Sequence, residues 1–230
     1  MFPIKDNVPT RSFPIVTVLL IAINAAVWIF YEVPDLQHAV DQLAYHPCEV
    51  EDSCRRMVGE DWQVTALTSM FMHGDWLHII GNMLFLWIFG NNVEDALGKV
   101  RYVLFYLLGG FAATALQTFI TLSYGSQDDA EIPNLGASGA VSAVLGGYLI
   151  LLPRARVVTV IFILIIFLRE FPAWIFLGFW FALQLWQGGF SLVQPEEGGG
   201  VAFFAHIGGF VFGMATVYLF RKRAPLRPKY

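Results

Sequence analysis

Charge is scarce in this sequence. Asp, Glu, Lys and Arg make up only 14% of the 230 residues, whereas a water-soluble domain carries about a quarter. The net charge of -4 is too weak to point to nucleic acid, so no nucleic-acid partner is expected. Cysteine is nearly absent, at two residues, which leaves no thiolate-rich metal cage. The five histidines form no HExxH-type zinc motif, and no cofactor or metal is expected. No internal repeat or low-complexity tract divides the chain, so one domain over 1–230 is expected. A cleavable signal is missing too. Met1 to Arg11 is polar, and the apolar run from Phe13 to Phe30 lacks a small-residue cleavage pattern. That run reads as a retained first helix.

What the sequence has is hydrophobic length. Apolar residues reach 57%, in runs too long and too pure for ordinary core helices. Six spans follow, at about 13–31, 70–91, 102–122, 136–152, 172–187 and 201–220. The expected fold class is all-α: a polytopic membrane bundle of six transmembrane helices, with a long outside loop between spans one and two. The segment 157–168 is strongly apolar but too short to cross, and reads as an interfacial or re-entrant piece.

Charge sets the expected orientation. With six spans and a cytoplasmic N-terminus, 11 of the 14 Lys and Arg residues fall inside, a clear positive-inside bias. The outside loops are acidic: the loop at about 32–69 contains Asp35, Asp41, Glu49, Glu51, Asp52, Glu60 and Asp61, that at 123–135 contains Asp128, Asp129 and Glu131, and that at 191–200 contains Glu196 and Glu197. Cys48 and Cys54 lie in the first loop. A disulfide and two unpaired thiols both satisfy the sequence. Short loops and the lack of extra domains suggest a bacterial inner (plasma) membrane, with both termini cytoplasmic and the site opening to the outside.

Three polar sets interrupt the apolar spans, where polar groups are costly. The first is the run His73 to Asn82. His78 and Asn82 are four residues apart and share a helix face. The second is Gly136-Ala137-Ser138-Gly139, opening the fourth span. The third is Ala205-His206 through Gly209, near the start of the sixth. Spans two, four and six run in the same direction, and each carries its polar set near its own start. At ~1.5 Å per residue, Ser138 is ~6 Å below Asn134, His206 ~9 Å below Gly200 and Asn82 ~10 Å below Asp75. A serine, a histidine and an asparagine thus share a depth. That suits a nucleophile, its general base and an oxyanion donor.

Singly, each has a plainer reading. A serine between glycines serves close helix packing, a lone histidine a helix contact or proton relay, and an asparagine interhelical hydrogen bonding. Gly209 and Gly213 form a GxxxG pattern, which means close packing of span six.

Together these motifs resemble the rhomboid family of intramembrane serine proteases. Gly136 to Gly139 resembles its GxSG, and His206 with Gly209 and Gly213 resembles its AHxxGxxxG. His73 to Asn82, continuing to Gly98, is similar to its second span and following loop. The likeness runs from about Trp62 to Phe220. It implies Ser138 as nucleophile and His206 as base. His78, Asn82 and Gly136 would serve the oxyanion, Gly139, Gly209, Gly213 and Glu94 would be structural, and membrane-protein substrates would be cleaved in or near their spans within the lipid bilayer. Two departures stand out. Ser142 takes the place of an aromatic residue that stacks on the base in some members, and Trp62-Gln63 the place of a Trp-Arg pair. The rival classes are a transporter with a histidine relay and a catalytically silent, client-binding relative.

Overall fold

In the computed structural model, residues 2–55, 59–162, 166–193 and 202–228 are described. The chain is mostly helical. Helix α1 (Ile15–Val27) has no capping side chain at Pro14. Its first N–H groups are met from far along the sequence instead: Glu94 accepts from the N–H of Val16 at 3.1 Å and of Thr17 at 2.8 Å, and from the Thr17 hydroxyl at 2.8 Å. A buried carboxylate at a helix N-terminus satisfies orphan donors and complements the dipole. The helix runs on into a π-turn, Trp28–Glu32.

The following segment has structure of its own. It holds α2 (Leu36–Leu43), a 3-10 turn (Pro47–Glu51) and α3 (Trp62–Thr68). Cys48 and Cys54 are joined by a disulfide. Helix α4 (Trp76–Phe85) continues through a π-turn, Leu86–Gly90, into α5 (Asn91–Leu97). Gly98, at φ +78°, turns the chain directly into α6 (Lys99–Tyr124), a conformation that glycine adopts without steric cost. Then come α7 (Gln127–Ala130), α8 (Ser138–Leu151), α9 (Ala173–Val193) and α10 (Phe203–Phe220). Among the described residues three helices are long and apolar enough to cross a membrane: Ile15–Glu32, Lys99–Tyr124 and Phe203–Phe220. Ser138–Leu151 is a shorter apolar helix.

The all-α expectation needs correcting. The segment 157–168, read as an interfacial or re-entrant piece, belongs to a β-hairpin of β2 (Arg156–Phe162) and β3 (Ile166–Pro172), with residues 163–165 outside the described set. The N-terminal strand β1 (Phe2–Asp6) completes an antiparallel sheet of order β1-β2-β3, with Phe2 opposite Val160 and Asp6 opposite Val157. The local reason is the β-branched run Val157-Val158-Thr159-Val160-Ile161, which favours strand over helix. The non-local reason is that a hairpin gains from a third strand, and the polar N-terminus supplies it.

The core lies where α6, α8 and α10 meet the α4–α5 helix. Phe89, Tyr102, Phe105, Tyr106, Tyr148 and Phe210 are buried there. Glycine lets α8 and α10 approach to backbone contact. A Cβ on Gly209 would collide with the Gly139 carbonyl, one on Gly213 with Ala143, and one on Gly146 with Phe210. In lipid, where apolar burial between helices gains little, such close packing drives association.

Candidate active site

The glycine contacts that close α8 onto α10 also bring the starts of these helices together. Ser138 is the first residue of α8, and His206 lies in the first turn of α10. Helix α4 faces them with His78 and Asn82. All four side chains line one cavity of about 690 Å³, whose apolar wall includes Leu77, Phe85, Val141, Leu145 and Trp180.

The turn before Ser138 is held from two directions. Tyr45 and Asn134 exchange backbone hydrogen bonds at 3.1 and 2.7 Å, and the Gly136 N–H donates to the Ser69 carbonyl at 2.9 Å. Gly136 has φ +129°, and a Cβ there would lie 2.7 Å from His78 Nε2. The position therefore requires glycine, both for its backbone and for its imidazole neighbour. Ser138 Oγ makes no hydrogen bond to any described residue. Ser142, one turn on, donates its hydroxyl to the Ser138 carbonyl at 2.6 Å. Its proton is thus committed to the backbone, a common fate of helical serine.

Ser142 offers no ring to stack on His206, so the motif alone does not orient the imidazole. The structure supplies the orientation from α9. Gln184 lies 2.7 Å from His206 Nδ1 through its Oε1, and the Trp180 ring sits 6.0 Å from the imidazole, centroid to centroid. An amide oxygen only accepts, so Nδ1 carries the proton and Nε2 keeps the lone pair. Gln184 and Trp180 went unnoticed in the sequence. Their one signal was a polar residue four positions after a tryptophan in an otherwise apolar span.

On α4, Asp75 caps the helix by accepting the His78 N–H at 2.9 Å. The Gly74 N–H approaches His78 Nδ1 at 3.4 Å. Nδ1 is therefore an acceptor, and the ring proton sits on Nε2, toward Gly136. Asn82 is 8% exposed, and its Nδ2 has no partner among the described residues. A buried amide donor left unspent costs stability and is available to a ligand. The cavity is thus lined by residues that bring a hydroxyl, an imidazole lone pair and two N–H donors. Among the described residues no three His, Cys, Asp or Glu side chains are placed to share a metal ion. Glu94 lies away from the cavity at the start of α1. The acidic loop 191–200, with Glu196 and Glu197, has its residues 194–200 outside the described set.

Residues 60–223 match the Rhomboid domain family. The chain belongs to the rhomboid family. It is 29% identical over 216 residues to a presenilin-associated rhomboid-like protein A, mitochondrial, of zebrafish (Danio rerio), covering 90% of this chain and 49% of that protein. It is 28% identical over 155 residues to the candidate rhomboid protease YdcA of Bacillus subtilis, covering 65% and 69%. RHOMBOID-like protein 4 of Arabidopsis thaliana is 30% identical over 177 residues, covering 74% of this chain and 36% of the plant protein. The chain therefore spans about half the length of the zebrafish relative and about a third of the plant one. These rhomboid relatives correct the location expected from loop length and charge. Proteins named as mitochondrial, and others from a plant, stand among them, so the bacterial plasma-membrane assignment does not hold. Short loops describe a compact bundle and say nothing of which membrane holds it.

Proposed function

We propose that this rhomboid is an intramembrane serine protease that hydrolyses peptide bonds in or beside transmembrane segments of other membrane proteins. One observation carries the reading: Ser138, His206, His78 and Asn82, from three helices, converge on one cavity. In this reading the bundle crosses the bilayer six times, the α4–α5 helix, α8 and α9 adding to Ile15–Glu32, Lys99–Tyr124 and Phe203–Phe220. The whole chain acts as a single protease domain.

The roles follow from the protonation pattern. Gln184 holds His206 with its Nε2 lone pair free to take the Ser138 proton as Oγ attacks the substrate carbonyl. The carbonyl electrons move to oxygen. The resulting charge is met by His78 Nε2–H, Asn82 Nδ2–H and the positive end of α8. Collapse breaks the C–N bond, and the amine leaves with the proton from His206. Water, deprotonated by the same imidazole, then releases the acyl group. The substrate segment must unwind first, because helical carbonyls are already bonded.

Non-catalytic client binding is the second reading. It draws on the lack of a Ser138–His206 hydrogen bond among the described residues. Such bonds are often long in a resting enzyme and tighten on binding substrate, so catalysis is preferred. A fluorophosphonate probe decides between them. It is expected to label the detergent-solubilised protein at Ser138, and Ser138→Ala should abolish both labelling and cleavage of a single-span substrate. Equal labelling of wild type and Ser138→Ala would refute the assignment.

A further inference from the structure

A buried carboxylate that the mechanism above leaves unused sits at the end of the first span. Asn24, Trp28 and Glu32 recur every four residues on one face of α1 and its π-turn, and all three are buried. Glu32 is 0% exposed. It accepts the backbone N–H of His73, also 0% exposed, at 2.6 Å, while its second oxygen has no partner among the described residues. A carboxyl group at that depth costs stability, and an apolar residue would serve packing better.

What Glu32 holds explains what it is for. His73 opens the short turn that leads into α4, and each residue of that turn bears on His78. The His73 ring packs edge-on to the His78 ring, centroids 5.1 Å apart at 72°. The Gly74 N–H approaches His78 Nδ1, and Asp75 accepts the His78 backbone N–H. Beside them, Trp28 meets Trp76 edge-on at 5.3 Å, so the face of α1 that carries Glu32 also braces the start of α4.

We propose that Glu32 is a positioning residue. By accepting the His73 N–H it fixes the turn that keeps the Gly74 N–H on His78 Nδ1, and so keeps the ring proton on Nε2, aimed past Gly136 at the Ser138 side of the cavity. The consequence for the oxyanion rests on the protease reading above; the consequence for the imidazole tautomer does not.

The test uses the full chain in detergent with nitrogen-15 histidine, the His78 signals being identified by their loss in His78→Asn. Glu32→Gln keeps an acceptor oxygen for the His73 N–H; Glu32→Leu and Glu32→Ala do not. Wild type and Glu32→Gln are expected to hold His78 as the Nε2–H tautomer. The Leu and Ala variants should show mixed tautomers. Their kcat should fall about tenfold with KM changed less than about twofold, as misaimed groups lose transition-state contacts, and Glu32→Gln should restore turnover to within about twofold. A single Nε2–H tautomer in folded Leu or Ala variants would overturn the proposal. So would failure of both to fold while Gln folds, since Glu32 would then be a staple alone. If the wild type cleaves nothing, the protease reading fails, and the tautomer measurement still decides this one.

Discussion

The two ends of the bundle treat polar groups in opposite ways. At the sheet end they are spent. Glu94 takes three hydrogen bonds from the start of α1. Asp95, its side chain 3% exposed, is paired to Arg11 at 2.6 Å and Arg223 at 2.8 Å, which ties both terminal segments to the end of α5. Asp6 accepts from Tyr148 at 2.5 Å and from Asn92 at 2.8 Å. At the serine end they are left open: among the described residues Ser138 Oγ and Asn82 Nδ2 have no partner and His206 Nε2 has no hydrogen bond, while His206 lines the cavity. Satisfied groups hold a fold together. Unsatisfied ones kept in place by backbone hydrogen bonds and a disulfide-bonded segment are poised for a ligand. The difference separates the groups that hold this molecule together from those that the proposed reaction would use.

Four substitutions test that division, in order of expected effect. The largest is Ser138→Ala, which should lower turnover at least about 10³-fold and leave the melting temperature within a few degrees of wild type. A strongly lowered melting temperature would place Ser138 among the stabilising groups.

Asn82→Ala comes next. Removing one oxyanion donor costs on the order of 10²–10³ in rate in soluble serine proteases. Here about tenfold to a hundredfold is expected, because His78 and the start of α8 remain, and it should fall on kcat more than KM. An unchanged kcat with a lower melting temperature would make Asn82 interhelical glue.

Asp95→Asn should do the reverse. Losing one partner of a buried pair costs about 3–5 kcal/mol. Both arginines stay partly solvated, at 34% and 42% side-chain exposure, so about 2 kcal/mol is expected. Denaturant unfolding should show it, while the kcat of the folded protein stays unchanged. A matching loss of kcat would mean that the two ends are coupled.

The smallest effect is one of pH. Burial raises the Asp6 carboxyl to about 6, against the lowering influence of its hydrogen bonds. An acid raised on folding stabilises most below its unfolded value of about 4 and loses that contribution as pH climbs through about 6. The melting temperature should therefore fall between these values by the equivalent of about 1 kcal/mol, residual solvent allowed for. Asp6→Asn should flatten that slope. A rise over the same interval would show that the ionised form is the better bound one.

Much of the site was legible because its parts are local. A serine between glycines, a histidine before GxxxG and a histidine–asparagine pair four apart each lie near the start of an apolar run. Each is read from neighbouring residues without knowledge of any partner, although helical rise alone does not set their depth, because α8 begins only at Ser138 and α10 at Phe203. The hairpin was not legible in the same way. A twelve-residue apolar run suits an interfacial piece as well as two strands, and only a third strand more than 150 residues away in sequence, β1, separates the two.

The sequence by itself determined the bundle of apolar helices, the polar sets at their starts and the glycines that permit close approach, because these rest on composition and on periods of a few residues. Only the tertiary structure decided what those polar groups touch. Gln184 reaches His206 from another helix, Glu94 caps α1 from across the bundle, and Glu32 holds the turn before His78. Each contact joins residues distant in the chain. A hydrogen bond depends on ångström distances between side chains, and only the packed helices set those.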